Sequence, residues 1–344
     1  MSNAPMIKHS PSKVATIKEV SRLAGVSIST VSRVLNESGP VSEATKLKVV
    51  EVAEQLNYKP NLLARALVTN RSGGIGVSIN TIASPFFGAM LEGIESALTK
   101  DSYLLVSTGW AELERERSSV EHLKEHADGI IAYFEAMQEE EIIRLSQEIP
   151  LVIMGRYIFD IAPNCVYLDN EQGGFLATSH LIEHGHKRIA HISGKLNMPD
   201  ARARLQGYRQ ALASASIPYD ERLVIEADFS ELGGQRATER LLERHLNFSA
   251  IFAANDQMAA GALLSLKDKS IRIPEDISLV GYDDIILARY LSPSLTTIRQ
   301  PLREMGKAAA QILLAQLDHD VQRQMEVKHK FEAELISRQS VKSL

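Results

Sequence analysis

Residues 16–36 read TIKEVSRLAGVSISTVSRVLN, and this stretch decides how the amino-terminal part of the chain folds. Thr16, followed three residues later by Glu19, has the spacing of a capping box, in which the hydroxyl and the carboxylate satisfy free amide groups at a helix start. Apolar residues then recur at spacings of three and four, as on one face of a helix. Gly25 supplies the backbone freedom for a tight turn, and Ser27 predicts the cap of a second helix. The stretch therefore predicts two short helices joined by a turn, which is a helix-turn-helix.

The second helix of this pair has two unlike faces. Its apolar face consists of Val31, Val34 and Leu35. The opposite face consists of Ile28, Ser29, Ser32 and Arg33. In a helix-turn-helix the second helix lies in the major groove and its early residues meet base edges, where an arginine such as Arg33 can make a bidentate contact to guanine. On these residues alone, a helical hairpin that only packs remains an alternative.

The charge of the chain is unevenly distributed. The whole chain of 344 residues has a net charge of −5, but residues 1–72 carry ten Lys and Arg against five Asp and Glu, a net charge of +5. Residues 73–344 carry 28 against 38, a net charge of −10. A basic head on an acidic body suits phosphate binding by the head alone, because phosphate attraction is local and screened by salt.

Length and composition limit the class of protein. A chain of this length predicts two or three domains, and no apolar run approaches the roughly 20 residues of a membrane span. The amino terminus lacks the apolar core of a secretory signal, and the single Cys165 excludes an internal disulfide framework. We therefore expect a cytoplasmic protein, with residues 1–15 as a flexible arm.

A third helix and a short linking segment follow the helix-turn-helix. Ser42 predicts the cap of the third helix. Its apolar positions are expected to complete a three-helix core, and they are Leu47, Val50, Ala53 and Leu56. Residues 60–67 are a helical stretch too short to be stable alone in water. We expect this hinge to order when paired with a second copy on DNA, with Leu67 as an apolar wedge in the minor groove. A plain linker helix is the alternative.

From residue 74 onward, short apolar runs alternate with amphipathic helices. The predicted strands are 75–79, 103–107, 129–134, 151–154, 166–168, 188–193, 223–226, 250–254 and 278–282. This repeated βαβ order predicts two doubly wound parallel lobes with a cleft between them, and such folds bind ligands at the carboxyl ends of their strands.

Polar and aromatic residues follow several of these strands. The polar ones are Asn80, Asp169, Asn255, Asp256, Asp283 and Asp284. The aromatic ones are Phe86, Phe87 and Phe229. Carboxylates, amides and flat aromatic faces suit a sugar or a nucleoside, which offers hydroxyls and apolar ring faces. Because Phe86 and Phe87 are adjacent at a helix start, one of them could equally be a core residue.

The chain resembles the lactose and galactose repressor family of transcriptional regulators. The motifs that carry the resemblance, in chain order, are AGVS (24–27) with TVSRVLN (30–36), LNYKPN (56–61), GHKRI (185–189), RLQGY (204–208), ANDQMA (254–259), VGYDD (280–284) and LTTI (295–298). The phrase SPFF at 84–87 and the RLQGY run look most similar to the galactose branch. The likeness runs from about residue 16 to residue 339.

The resemblance implies a domain plan. A three-helix helix-turn-helix domain would occupy 16–60, a hinge helix and linker 61–73, and a bilobed body resembling periplasmic binding proteins 74–344. The first lobe would comprise about 74–170 and 300–327, and the second about 171–299 and 328–340, with the third crossing between lobes near 326–329.

The resemblance also implies roles for individual residues. The implied DNA-binding residues are Thr16, Ser27, Ile28, Ser29, Thr30, Ser32, Arg33, Asn36, Asn61 and Leu67. The implied effector-binding residues are Phe86, Phe87, Arg204, Phe229, Asn255 and Asp283. No cofactor and no metal is implied.

The expected function is that of a sequence-specific DNA-binding repressor of a carbohydrate-utilisation operon, controlled allosterically by a small sugar bound between the two body lobes. The expected partners are a pseudopalindromic double-stranded operator and a small sugar, with a nucleoside or purine as the alternative effector. Because the leucine heptads of the lactose repressor are missing, we expect a homodimer held by the body lobes.

Two other classes fit the sequence poorly. An enzyme would need a catalytic motif, but the dinucleotide pattern, the Walker A run and the nucleophile elbow are all missing. His122 and His126 have metal-ligand spacing without the glutamate of the zinc motif, and His184, His186 and His191 read as structural. A two-lobed periplasmic sugar receptor would need a signal peptide and no DNA reader.

Overall fold

The computed structural model describes residues 15–35, 39–58, 71–100, 102–318 and 328–344. The chain divides into two compact units, Met1–Ser72 and Gly73–Leu344. In the described part of the chain, none of the helices combines the length and the apolar character that a bilayer crossing requires.

The first unit contains three helices, α1 (Ile17–Ala24), α2 (Ile28–Leu35) and α3 (Glu43–Gln55). The predicted capping box of α1 is present, since the Thr16 amide donates to the Glu19 carboxylate at 2.9 Å and the Thr16 hydroxyl accepts from the Glu19 amide at 3.4 Å. Gly25 ends α1 with a φ of 67°, a left-handed conformation that glycine adopts at low cost. Ser27 accepts from the amide of Thr30 at 3.1 Å and so caps α2 as predicted.

The core of this unit differs from the prediction on one helix. Its buried side chains are Val20, Ala24, Val31, Val34, Val49 and Ala53. The prediction that Leu47 and Val50 belong to the core is wrong, because 69% of the Leu47 surface and 39% of the Val50 surface remain exposed. The buried stripe of α3 instead runs through Val49 and Ala53. Apolar residues occupy both registers of α3, so helical spacing alone does not select the face that packs.

The first sheet of the second unit has the strand order β2-β1-β3-β4-β5-β11, and all its pairs are parallel. Its strands are β1 (Gly74–Ile79), β2 (Tyr103–Thr108), β3 (Gly129–Ala132), β4 (Leu151–Met154), β5 (Cys165–Leu168) and β11 (Lys330–Phe331). Its helices are α4 (Pro85–Ala97), α5 (Leu113–His126), α6 (Glu139–Glu148) and α12 (Leu302–Leu317). We call this sheet with its helices the first lobe.

The helices of the first lobe cover both faces of the sheet. Ile131 and Val152 pack with α4 and α12, whereas their neighbours Ile130 and Ile153 pack with α5 and α6. This alternation follows from the two-residue period of a strand, and it confirms the doubly wound arrangement that the sequence predicted.

The second sheet has the order β7-β6-β8-β9-β10-β12. Its strands are β6 (Ile189–Ser193), β7 (Val224–Glu226), β8 (Ala250–Ala253), β9 (Ser278–Asp283), β10 (Thr296–Arg299) and β12 (Glu334–Ile336). Its helices are α7 (Asn170–Glu183), α8 (Pro199–Ser214), α9 (Glu231–Glu243), α10 (Asp256–Asp268) and α11 (Ile286–Tyr290). The sheet is parallel except for β12, which runs antiparallel to β10. We call this sheet with its helices the second lobe.

The carboxyl-terminal segment departs from the expected lobe boundary. The sequence placed residues 328–340 in the second lobe, but β11 pairs with β5 of the first sheet, with Phe331 opposite Leu168. Phe331 is buried in the first lobe, with 5% of its surface exposed. The third crossing between the lobes therefore lies between β11 and β12. The sequence did not predict this boundary because strands of two and three residues are too short to show an alternation of buried and exposed side chains.

Candidate functional site

A cavity of about 310 Å³ lies between the carboxyl ends of the two parallel sheets. In each sheet the strand order reverses at one strand, β1 in the first and β6 in the second, which is where open α/β sheets bind ligands. All six residues proposed from the sequence as effector-binding line this cavity: Phe86, Phe87, Arg204, Phe229, Asn255 and Asp283.

Arg204 is held by buried polar groups on the second lobe. Its side chain, 3% exposed, donates from Nε to Asn170 Oδ1 at 2.9 Å and from Nη1 to the Ala254 carbonyl at 2.6 Å. Its guanidinium carbon lies 3.9 Å from the centre of the Tyr282 ring, close enough for a cation–π interaction. These contacts fix the orientation of the guanidinium within the cavity wall.

Asp283 ends β9 and lies beside Arg204. Asp283 Oδ1 is 3.7 Å from Arg204 Nη1 and accepts from Gln300 Nε2 at 2.7 Å. The backbone of Asp283 has a φ of 108°, a strained value for a residue with a side chain, which is a feature of functional sites. Burial raises the pKa of Asp283 to about 7 even though the Arg204 charge lowers it. This carboxylate can therefore change its protonation near neutral pH.

Phe229 and Asn255 support one another at the opposite wall. Asn255 Oδ1 caps α10 by accepting from the Met258 amide at 2.8 Å, and its Nδ2 donates to the Phe229 carbonyl at 2.9 Å. Phe229 itself has a left-handed backbone, with a φ of 65°. A Cβ atom at Gly194 would come within 2.2 Å of the Phe229 ring, so only glycine leaves room for the ring there.

Phe86 and Phe87 both reach the cavity from the start of α4, although the sequence left one of them open as a core residue. Their rings meet edge to face with centres 5.1 Å apart, and each also meets Tyr133 edge to face. Both side chains are largely buried, at 9% and 5% exposure. The three rings form one aromatic wall, so Phe86 and Phe87 serve packing and cavity lining together.

Several cavity residues were not proposed from the sequence as effector-binding. They include Tyr133, Glu135, Asp200, Glu231 and Gln257, whereas Asn80, which the sequence proposed only as a polar strand-end residue, also lines the cavity. Tyr133 and Glu135 follow β3 directly, so the rule that ligands bind at strand ends points to them. Asp200 precedes Arg204 by four residues and therefore shares its face of α8.

Three carboxylates expected at strand ends have structural partners instead. Asp169 caps α7 by accepting from the Gln172 amide at 3.0 Å, and Asp256 accepts from Thr297 Oγ1 at 2.6 Å. Asp284 pairs with Arg299 at 2.8 Å. Position at a strand end does not decide whether a side chain turns toward the cavity or toward a neighbouring element.

The histidines of the second lobe contact neighbouring protein groups. Among the described residues, no group of three His, Cys, Asp or Glu side chains could hold a metal ion. His186 contacts Ser249 at 2.8 Å and the Lys342 carbonyl at 3.1 Å. His191 contacts the Phe252 carbonyl at 2.9 Å, and burial lowers its pKa to about 4.

The outward face of α2 provides the candidate nucleic-acid interface. The exposed residues among those proposed are Thr16, Ser27, Ile28, Ser29 and Arg33, while Thr30 and Ser32 are half-buried. Ser27 Oγ lies 2.7 Å from Ser29 Oγ and 2.9 Å from Thr30 Oγ1, so three hydroxyls cluster at the helix start. Ile28 is 43% exposed, an apolar side chain left on the surface. Asn36, Asn61 and Leu67, together with most of the proposed hinge, lie outside the described residues.

Comparison with known proteins finds relatives of both units of the chain. Residues 16–61 match the family described as bacterial regulatory proteins, lacI family, and residues 178–341 match the periplasmic binding protein-like domain. The chain is 40% identical over 331 residues to the transcriptional regulator GalR of Salmonella typhimurium, covering 95% of this chain and 96% of that protein. It is 39% identical over 337 residues to the transcriptional repressor PurR of Vibrio atlanticus, covering 96% and 100%.

Solved structures show the same likeness. A lac repressor dimer bound to operator and the anti-inducer ONPF superposes with a TM-score of 0.84 at 30% identity, covering 96% of this chain and 100% of that one. A complex of the transcriptional regulator CelR with cellobiose superposes with a TM-score of 0.68 at 33% identity, covering 95% and 99%. The chain belongs to the lacI family of bacterial regulatory proteins, and it is accordingly a DNA-binding transcriptional regulator rather than an enzyme.

Proposed function

We propose that this chain is a dimeric repressor of a carbohydrate-utilisation operon whose affinity for its operator is set by a sugar bound in the cavity. The observation that carries the proposal is the convergence of Arg204, Asp283 and the ring of Phe229 on one cavity between the lobes. Charged and amide groups beside an aromatic face suit a ligand with hydroxyls around an apolar ring face. The relative CelR was solved in complex with cellobiose, which supports the same class.

The exposed start of α2 would read the operator. Ile28, Ser29 and Arg33 would meet base edges, while neighbouring hydroxyls would contact phosphates and position the helix. Two copies related by a two-fold axis would then bind a pseudopalindrome. Residues 61–73 would form the hinge between reader and body, with Leu67 as its minor-groove wedge. Because bacterial operators lie in the cytoplasm, the protein would act there.

The two lobes of the body are joined by side chains at the cavity. Ser84 of the first lobe donates to Gln257 of the second at 2.7 Å, and the Tyr133 hydroxyl donates to the Asp200 carboxylate. A ligand between the lobes would compete with such contacts or add to them, and would so favour one relative position of the lobes. It can control DNA binding only if its affinity differs between those positions.

Measuring operator affinity during titration with sugars tests this function. The proposal expects at least one sugar to change the operator dissociation constant about 5- to 150-fold, the usual range of allosteric coupling. A purine or nucleoside that produces the change while sugars do not would replace the sugar as effector. A ligand that binds the body without any change in operator affinity would refute the switch.

A further inference from the structure

The cavity wall has a strong excess of hydrogen-bond acceptors and of negative charge. Its carboxylates are Glu135, Asp200, Asp228, Glu231 and Asp283. The one Arg or Lys side chain among the described lining residues is Arg204, which lies 3.7 Å from the Asp283 carboxylate and 3.8 Å from that of Asp200. The positive charge of Arg204 is therefore already shared by two carboxylates of the protein.

The donors of the wall are largely engaged by the wall itself. Asn80 donates to Glu135 at 3.1 Å, Tyr133 donates to Asp200, and Gln257 donates to Glu231 at 2.9 Å. The further side-chain donors in such bonds are Ser84, Ser230 and Asn255. A ligand entering this cavity consequently meets few free donors.

Acceptor oxygens, in contrast, remain available. Three of the carboxyl groups each use one oxygen as a hydrogen-bond acceptor within the protein. In the described part of the chain, the other oxygen of each accepts no hydrogen bond, and these oxygens are Glu135 Oε1, Asp200 Oδ1 and Asp283 Oδ2. These three oxygens have no hydrogen-bond partner among the described residues and are not buried, so solvent or a ligand in the cavity can reach each of them. Glu135 comes from the first lobe and the two aspartates come from the second.

Glu135 is the least compensated of these three carboxyl groups. Asp283 has Arg204 and Gln300 as partners, whereas the described hydrogen bond of the Glu135 carboxyl group comes from the neutral amide of Asn80. Burial and the nearby carboxylates of Asp200 and Glu116 raise the pKa of Glu135 to about 8, although Lys195 and Arg204 lower it, so Glu135 holds a proton near neutral pH and becomes a carboxylate above about pH 8. A second anion beside the Asp200 carboxylate, and above that pH beside the ionised Glu135 as well, would be repelled more strongly than it would be in water.

We propose that Glu135, together with Asp200, makes the cavity selective for a donor-rich polyol that carries no negative charge, and that phosphorylated sugars and sugar acids are excluded. This inference rests on the proposed sugar-binding function. The ligand supplies hydroxyl or ammonium donors to carboxylate oxygens of both lobes, so a bound polyol links the lobes. An anionic analogue replaces one of these donors by an anionic group and adds repulsion.

The test compares matched sugars on the full-length protein at about pH 9, where Glu135 is ionised. Calorimetric titration uses two sets of sugars. The first set is galactose, galactosamine, galacturonate and galactose 6-phosphate, and the second is the same four forms of glucose. In the set that binds, the neutral or amino sugar is expected to bind at least about 100-fold more tightly than either anionic member, since a site built for donors strongly rejects analogues that cannot satisfy it. Preference for the amino sugar would identify an amino group as the donor, and preference for the neutral sugar a hydroxyl.

Glu135→Gln assigns the exclusion to this residue. The amide keeps an acceptor for Asn80 and removes the charge that Glu135 carries at about pH 9, so the 100-fold discrimination at that pH is expected to fall to about 10-fold or less. Glu121→Gln is the matched control, because it removes the same charge from an exposed position of α5 outside the cavity lining. Its discrimination should equal that of the unaltered chain.

The outcomes separate this inference from the function on which it rests. If an anionic sugar binds as tightly as its neutral counterpart and changes operator affinity, the sugar-controlled repressor stands and the exclusion is refuted. Discrimination that survives Glu135→Gln unchanged also refutes the assignment. If no member of either set binds and a purine or nucleoside does, the sugar function fails and this inference fails with it.

Discussion

At the scale of single residues, Arg204 links the stability of the body to its ligand chemistry. Its guanidinium satisfies the Asn170 side chain and the Ala254 carbonyl and also partners the buried Asp283 carboxylate. A buried charge of this kind is stabilising only while its partners remain, because an unpartnered buried charge is costly. The residue proposed as a ligand contact is thus also part of the buried interior of the second lobe.

Arg204→Ala is expected to abolish the response to effector while operator binding persists. The substitution also leaves Asp283 without its cation, so the body should lose about 3–5 kcal/mol of stability. Thermal unfolding and operator titration with and without effector measure the two effects. Arg209→Ala is the control, since Arg209 is exposed on the same helix and contacts Tyr219. A normal effector response in Arg204→Ala would contradict the assignment.

Glu135→Gln is expected to change how stability depends on pH. The pKa of Glu135 is raised from 4.5 to about 8 in the folded protein, so the folded state holds a proton that the unfolded state releases. Stability of the unaltered chain therefore falls as pH rises from about 4.5 to about 8, and glutamine removes this loss. Without ligand, the Tm advantage of Glu135→Gln should grow across this window by a few degrees. Parallel Tm profiles for the two proteins would rule out the buried proton.

At the scale of elements, pairs of helices approach so closely that glycine is required between them. A Cβ atom added at Gly174 of α7 would lie 2.3 Å from the Arg204 backbone oxygen on α8. The backbone of α8 therefore rests directly on α7, and α8 carries both Arg204 and Asp200 into the cavity. Packing between two helices thus sets the position of the ligand-facing side chains.

Gly174→Ala is expected to destabilise the body by about 1–3 kcal/mol, because overpacking forces the backbone to shift. The shift moves α8, so effector affinity should also fall. Gly88→Ala on α4 is the matched control, as an added Cβ there meets no atom within 4 Å and alanine favours the helix. Chemical denaturation and effector titration distinguish the two variants, and equal stability of both would show that α7 and α8 can separate at little cost.

The helix α2 is the second element with a separable role. Arg33→Ala should reduce discrimination between the operator and an unrelated sequence by about 1–3 kcal/mol, because a bidentate base contact is lost. Effector binding should not change. Competition binding against operators substituted one base pair at a time locates the contact, and a uniform loss at every sequence would instead indicate that Arg33 contacts phosphate.

At the scale of the whole molecule, the division into Met1–Ser72 and Gly73–Leu344 separates a reader from a body. The net charge changes from positive to negative near the same boundary. Each unit has its own buried core, which is the usual condition for independent folding. The two activities should therefore be separable.

Deleting residues 1–72 is expected to abolish operator binding and leave effector affinity within about threefold of the full chain. Calorimetric titration with the effector and a gel-shift assay with the operator measure the two activities. Loss of effector affinity in the truncated protein would mean that the reader contributes to the cavity.

Local order was readable from the sequence because it depends on nearby residues. Residue spacing predicted the capping box of Thr16, the turn at Gly25 and the alternation of strands and helices. The resemblance carried by the motif around Arg204 predicted that this residue faces the cavity. Tertiary packing decided what spacing leaves open. Packing buries Val49 and leaves Leu47 and Val50 exposed, and it places Phe331 in the first lobe. It also directs Asp283 to the cavity, whereas the neighbouring Asp284 pairs with Arg299. It also brought Glu135 and Asp200 to one cavity from different lobes, because contacts between residues distant along the chain exist only once both sheets have formed.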